Sequence, residues 1–302
     1  MALNRALFTK QLNLGLNTVF GMEYDRYPEQ WRALYSTEQS MKAFEEDVQM
    51  IGFGAAPTKA EGAMINYDSG REGFVSRYVH ETVALAFAIT EEAEEDGLYG
   101  SLGAKYARAL ARSMQQTKEV KGANVFNNAT GTSVGGDGVS LLNGSHPLGG
   151  GGTASNKLAT AADLSETSLE SLLIQISEAV DDRSIPVALS GRKLAVPPQL
   201  VFIAERILKS NLRPGTADND INALRNMGMI PEGVVVNQRF TDPDQYFILT
   251  DCPDGMKHFV RAPIKKAVEG DFETGNLRYK VRERYSFGFT DWRAVYGSQG
   301  AD

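Results

Sequence analysis

The side chains best suited to nucleophilic or metal chemistry are few in this chain: three histidines, His80, His146 and His258, and one cysteine, Cys252. A serine or cysteine nucleophile needs a base in hydrogen-bond reach and a third group that orients the base. His80 stands beside Glu81 in an alternating stretch, so the two side chains point to opposite faces of a strand. Ser145 and His146 are adjacent in a glycine-rich loop, and adjacency is not the orientation a Ser–His pair requires. No G-x-S-x-G elbow presents a serine. Cys252 has no neighbouring histidine to activate it and reads as a small buried hydrophobe.

Phosphate and metal chemistry fare no better. GGGGTASNK (149–157) lacks the G-x-x-x-x-G-K-[ST] spacing of a phosphate loop, and GGDGVSLLNG (135–144) misses G-x-G-x-x-G. Both read as turning backbone. DNDIN (218–222) clusters carboxylates and amides, but an EF-hand needs ligands at alternate positions closed by a glutamate. Asn and Asp are as much at home in turns and caps. EEAEEDG (91–97) reads as a helix N-terminus, where acidic side chains complement the dipole. The expectation is therefore no catalytic residue, no metal site, no cofactor, and no enzyme.

Composition sets the frame for the elements. The chain has 302 residues, 42% hydrophobic and 23% charged, long enough for a substantial core and too apolar for disorder. A net charge of −7 argues against gripping nucleic acid with the whole surface, while leaving room for basic stripes. A single cysteine permits no intrachain disulfide and suits a reducing compartment. No apolar run approaches a membrane span, and the first twenty residues lack a signal-peptide core, so the protein reads as made in the cytosol.

Residues 1–50 read as a polar tail followed by a helix opened at Pro28, with Trp31, Leu34 and Tyr35 on one face and Phe44, Val48 and Ile51 continuing it. IGFGAAPTKAEGAMINYDSGREGF (51–74) is rich in glycine and turn signals, with few core residues. FVSRYVHETVALAFAI (74–89) alternates as one long strand with Val75, Val79, Val83, Leu85, Phe87 and Ile89 on one side. Its reach of about 50 Å far exceeds a typical strand, and a glycine-rich ribbon of this kind is marginal alone. It reads as an arm that must lie on something else, most simply another subunit.

A long helix follows over 98–126, about 43 Å at 1.5 Å per residue, with Leu98, Leu102, Tyr106, Leu110, Met114 and Thr117 on the helical period. A glycine-rich crossing (130–162) leads to an amphipathic helix with Asp163 as N-cap and Glu166 three residues on, burying Leu169, Leu172, Leu173 and Ile176. RKLAV, a proline-opened helix PPQLVFIAERILKSN, and strands at 234–237 and 245–250 complete a compact α/β module. LRYKVRERYSFGF (277–289) is the last strand. Tyr279, Val281, Tyr285, Phe287 and Phe289 share one face and Arg278, Lys280, Arg282 and Arg284 the other, either a solvated face or a stripe for an acidic neighbour or packaged DNA.

This order of parts resembles the major capsid protein of tailed phages, the Hong Kong 97 type of fold, an α+β class. Three stretches are similar to the Mu-like major head subunit family: GVSLLNGSHPLGGGGTASNKLATAADLSETSLESLL, RKLAVPPQLVFIAERILKSNLRPGTADNDINAL and FETGNLRYKVRERYSFGFTDWRAVYGSQG. The resemblance implies a subunit that forms hexamers and pentamers of an icosahedral shell around double-stranded DNA, located in the virion. It maps 1–50 to an N-arm, 51–90 to an extended loop, 91–130 and 255–292 to a peripheral domain, 131–254 to an axial domain and 293–302 to a C-terminal tail. Lys59, Glu61, Arg71 and Glu72 are candidate charged arm contacts, and Trp31 and Phe44 candidate contacts of the N-arm helix. The absence of a leading scaffolding region implies a separate scaffolding protein, with a portal, a decoration protein and non-specific DNA contact as further partners. Some such shells cross-link a lysine to an asparagine. Lys59 lies in the arm, but nothing identifies a partner, and no cross-link is expected. The runner-up is a cellular nanocompartment shell of the same fold enclosing a cargo enzyme.

Overall fold

The computed structural model describes residues 5–90, 92, 99–213, 220–271 and 275–301. Two four-stranded sheets organise the chain. The first has the order β1 (Ser36–Gln39), β10 (Met256–Gly270), β11 (Leu277–Phe289), β4 (Glu81–Ile89), with β1 parallel to β10 and the rest antiparallel. The second has the order β12 (Val295–Ser298), β9 (Tyr246–Thr250), β7 (Gly191–Val196), β8 (Val234–Val236), with β7 and β8 parallel. A separate ladder pairs β2 (Phe44–Ile51) with β3 (Arg71–Val79), and a short hairpin joins β5 (His146–Pro147) to β6 (Thr153–Ala154).

One face of the first sheet is covered by two helices, α1 (Arg5–Tyr24) and the long α2 (Tyr99–Asn127). Leu16 and Phe20 of α1 meet Ala107, Leu110, Ala111 and Met114 of α2 over Tyr279 and Val281 of β11. The helical period of α2 thus does what apolar residues three and four apart require: it seats one stripe on a sheet. At 29 residues this helix is about 43 Å long. Glu91, residues 93–97 and Leu98 lie outside the described residues.

α3 (Glu166–Ser177), α4 (Val201–Lys209) and α5 (Ala223–Met227) accompany the second sheet. α3 buries Leu169, Leu172, Leu173 and Ile176, the stripe its spacing predicts. Its N-cap is Ser165, not Asp163: Ser165 accepts from the Ser168 backbone N–H, and Ser168 closes a capping box in return. Asp163 instead accepts from the Ala301 N–H at 2.8 Å, while Arg213 pairs with Glu166 at 2.9 Å. Val295 and Tyr296 are buried and β12 is paired along β9, so the chain end completes the second sheet.

Three expected elements differ. Residues 44–51, expected to be helical, form a strand. Residues 30–33 are a single 3-10 turn, and the chain's first helix lies earlier, at α1. The single strand expected over 74–89 is two strands in two different sheets, parting at His80.

Candidate assembly interface

The arm begins where two strands leave the first sheet together. β1 ends at Gln39 and β2 starts at Phe44, while β3 ends at Val79 and β4 starts at Glu81. Opposite residues of an antiparallel pair share a face, so Phe44–Val79, Glu46–Arg77 and Val48–Val75 lie on one side, and Glu45–Tyr78 and Asp47–Ser76 on the other.

The inner face of this ladder is largely polar, apart from buried Tyr78 and Ile51, and it is pinned to the subunit by hydrogen bonds. Asp47 accepts from Lys257 at 2.5 Å and from the Thr290 hydroxyl at 2.7 Å, and Thr290 is also bonded to the Tyr78 hydroxyl at 2.7 Å. Gln49 donates to Asp182 at 3.1 Å. Arg183 donates to the Ser69 carbonyl at 2.7 Å, and Arg71 to the Gly149 carbonyl. The Lys257 side chain is only 6% exposed and also meets Asp254 at 2.9 Å and Glu38 at 3.5 Å. Burial alone would lower its pKa, but the bonds it donates to Asp47 and Asp254 hold it above the ordinary value. Asp47 feels burial as well, and Lys257 and Thr290 still bring it below the usual carboxylate range.

The body meets the ladder with glycine. A Cβ at Gly136 would stand 2.7 Å from the Val75 carbonyl, closer than real contacts allow. The backbone can lie this close only because position 136 has no side chain.

The outer face is the reverse of an ordinary water-facing hairpin. Phe44, Met50, Val75 and Val79 are exposed there, with Arg77 standing 4.0 Å over the Phe44 ring and 3.9 Å from Glu46. Beyond the ladder the tip, residues 52–70, is exposed throughout apart from half-buried Gly54. It carries Phe53, Met64 at 89% exposure, Ile65, and Tyr67 at 93%. Lys59 and Glu61 are exposed in this tip. Asp68 closes its base by accepting from the Gly54 N–H at 2.7 Å.

The candidate residues thus fall into groups. Lys59 and Glu61 belong to the free tip. Arg71 and Glu72 start β3, Arg71 engaged with its own subunit and Glu72 exposed opposite Met50. Phe44 roots the ladder in a strand, not in an N-arm helix. Trp31 is corrected outright: at 1% exposure it is a core residue. It packs edge-on to Phe287 at 5.5 Å, and its backbone N–H donates to Glu119 at 3.1 Å. A buried ring has no surface to offer a neighbour. Sequence spacing gave it a helical stripe, and the same apolarity served the subunit's own core.

The basic stripe of β11 lies on the face away from α1 and α2. Arg278 pairs with Asp271, and Arg284 donates to the His80 carbonyl at 3.4 Å. Lys280 and Arg282 are exposed and make no ion pair among the described residues. Lys265, which the sequence did not single out, stands directly across from Arg282 on β10. Ala84, Ala86 and Ala267 floor the trough between these cations. Like charges directly opposite are destabilising by some tenths of a kcal/mol, so this face gains when an anion covers it.

His146 and His258 are structural. His146 is fully buried, stacked on Trp292 at 4.3 Å, bonded to Asp137 at 2.6 Å and to Asn156 at 3.2 Å. The place a nucleophile would take is filled by an amide. His258 lies between Trp31 and Phe287, where burial, with Lys118 and Arg32 nearby, lowers its pKa to about 3. Cys252 is pushed up by burial, away from the thiolate. No group of three or more metal-ligating side chains occurs among the described residues, and no described helix is long and apolar enough to cross a membrane.

A sheet carried on a long spine helix, an α/β module and a projecting arm define the class: the Hong Kong 97 type phage capsid fold. The capsid of an empty GTA particle superposes with a TM-score of 0.55 at 11% identity, covering 91% of this chain and 90% of that one. The capsid of Myoviridae phage XM1 gives 0.51 at 11% identity, covering 88% and 89%. The procapsid of bacteriophage JBD30 gives 0.52 at 15%, covering 99% of this chain and 77% of that one. No curated protein matches the sequence significantly. A family model described as phage capsid protein matches residues 74–298, and the chain belongs to that family.

Proposed function

We propose that this chain is the major head subunit, many copies of which form hexamers and pentamers and close an icosahedral shell around double-stranded DNA. The observation that carries the reading is the arm. Its tip exposes Phe53, Met64, Ile65 and Tyr67 together, on a segment that buries nothing within its own subunit. Fully covering four such side chains contributes on the order of 6–12 kcal/mol gross per copy, enough to drive association when repeated around a closed shell.

The role is mechanical, with no catalytic step. The division proposed is N-arm 1–50, extended loop 51–90, peripheral domain 91–130 and 255–292, axial domain 131–254 and tail 293–302, with the free part of the loop being 52–70. Within the free tip, Lys59 and Glu61 are the charged contacts offered to a neighbour, with Glu72 beside its base. Lys280 and Arg282, joined by Lys265, offer an anionic partner a cationic trough, either an acidic neighbour or packaged DNA. A separate scaffolding protein, a portal and a decoration protein complete the proposed partners, with synthesis in the host cytoplasm. The family match and the capsid neighbours favour a phage head over a cellular nanocompartment. Expression of the chain with and without a co-expressed scaffolding protein, followed by negative-stain electron microscopy, tests the proposal. Closed shells support it, and a monomer under both conditions overturns it.

A further inference from the structure

The two strands of the arm leave the body at Ser40 and His80, and these two residues are hydrogen-bonded to each other. His80 Nε2 lies 2.9 Å from Ser40 Oγ, and His80 Nδ1 lies 3.0 Å from Ser286 Oγ on β11. Ser40 in turn donates to Glu45 of β2 at 2.7 Å and accepts from the Lys42 N–H at 3.2 Å. The directions of these bonds follow. The Ser40 hydroxyl hydrogen is committed to Glu45, so Ser40 can only accept from His80, and the ring carries its proton on Nε2. Nδ1 is then the acceptor for the Ser286 hydroxyl. The four side chains form one chain of bonds from the first sheet, through the strand break, into the arm. His80 and Ser40 are both buried.

We propose that this chain of bonds is a proton-sensitive clasp that seats the arm on its own subunit, and that acidification unseats it. A second proton on His80 must go to Nδ1, where it displaces the Ser286 hydroxyl hydrogen and leaves a buried cation. The charged groups facing the ring are Glu45 from β2, Arg284 from β11 and Arg261 from β10, with the Phe259 ring 6.5 Å away. Two cations against one anion make the site inhospitable to an imidazolium. Burial first, and then Arg284 and Arg261 against Glu45, hold His80 below its ordinary value of 6.5. The seated arm therefore binds fewer protons than the released arm, and its stability is full above that value and lost as pH falls below it. Further along the ladder Asp47 is also held low, so its link to Lys257 persists as His80 titrates and weakens only below the ordinary carboxylate range. Other links, such as Gln49 to Asp182 and Arg183 to Ser69, are polar bonds that water can replace at small net cost, while Tyr78 and Ile51 remain buried contacts that do not titrate in this range. The clasp is read from the single subunit and does not rest on shell closure.

With three histidines in the chain, imidazole NMR resolves the titration of His80 in the unassembled subunit. Hydrogen exchange of residues 44–51 and 71–79, corrected for the intrinsic pH dependence, reports the arm over the same range, about pH 7.5 to about pH 5. The expected result is a loss of protection of about tenfold or more in these strands through the His80 midpoint, with α3 and β7 unchanged. His80→Gln keeps a donor and an acceptor but cannot titrate, and it is expected to flatten the profile. Protection that stays constant through the His80 midpoint in the natural chain overturns the proposal, whether or not the variant folds. So does a His80→Gln arm that loosens as the natural one does.

Discussion

Removing the arm tip is expected to leave the subunit slightly more stable while abolishing assembly, an unusual combination for a deletion. Residues 55–67 lie between Gly54 and Asp68, which are already joined by a hydrogen bond of 2.7 Å, so a two-residue Gly-Gly bridge closes the gap without strain. The excised segment is exposed throughout, and no side chain in it belongs to the core. The enthalpic loss is therefore close to zero. The entropic term favours the deletion: shortening a loop from thirteen residues to two removes about 1.5 kcal/mol of closure cost, at about 0.6 kcal/mol per doubling. In a chain of this size that corresponds to a rise in Tm of a few degrees. Differential scanning calorimetry of dilute, unassembled protein measures the stability, and sedimentation velocity measures assembly. A fall in Tm of more than about 5 °C would show that the tip contributes to the subunit's own fold. Closed shells formed by the deletion would show that the exposed Met64, Ile65 and Tyr67 do no assembling.

Three further expectations follow from individual contacts. Trp31→Ala empties a core site and should cost about 3–5 kcal/mol, lowering Tm by about 5–8 °C, whereas an inter-subunit role would leave the monomer's Tm unchanged and impair assembly alone. Gly136→Val drives a side chain into the Val75 backbone and should speed hydrogen exchange across 71–79 at least tenfold, with α3 unaffected; unchanged exchange there would contradict the close approach seen at this glycine. Lys280→Glu with Arg282→Glu should leave Tm within about 2 °C, because the repulsion of Lys265 from Arg282 is removed. Shell yield or nucleic-acid content, read from the ratio of absorbance at 260 and 280 nm, should drop, and particles indistinguishable from the natural ones would remove the trough from the assembly account.

Much of the body was legible because its strands and helices bury what their periods predict. β11 alternates from Leu277 to Tyr285, with Tyr279, Val281 and Tyr285 inward and Arg278, Lys280 and Arg282 outward, and it lies at the bounds the pattern assigns. The spine helix runs one residue past its expected end, and its expected start at Leu98 lies outside the described residues. The arm was misread for a physical reason. In β2 the inward side chains are Glu45, Asp47 and Gln49; the partners of Asp47 (Lys257 and Thr290) and of Gln49 (Asp182) lie more than a hundred residues away, while Phe44 and Met50 face outward. A strand with its polar face buried and its apolar face wet presents Phe44, Val48 and Ile51 at spacings that a helix also satisfies. The break at His80 was hidden for a related reason. The odd-numbered residues keep the same side across 74–89, but the body lies on the even side of β3 and, through α1 and α2, on the odd side of β4. Only the distant partners Ser40 and Ser286 reveal that His80 marks a junction. The clasp could not be found by searching for catalytic spacing, since its members are forty and two hundred and six residues from the histidine.

The central claim is that residues 52–70 are an inter-subunit element completed only in the closed shell. An electron cryomicroscopy reconstruction of the assembled particles tests it most directly. The account predicts an icosahedral shell in which Phe53, Met64, Ile65 and Tyr67 of each copy are covered by a neighbouring subunit. A closed shell with the arm tip standing free in solvent, or folded onto its own subunit, would contradict it.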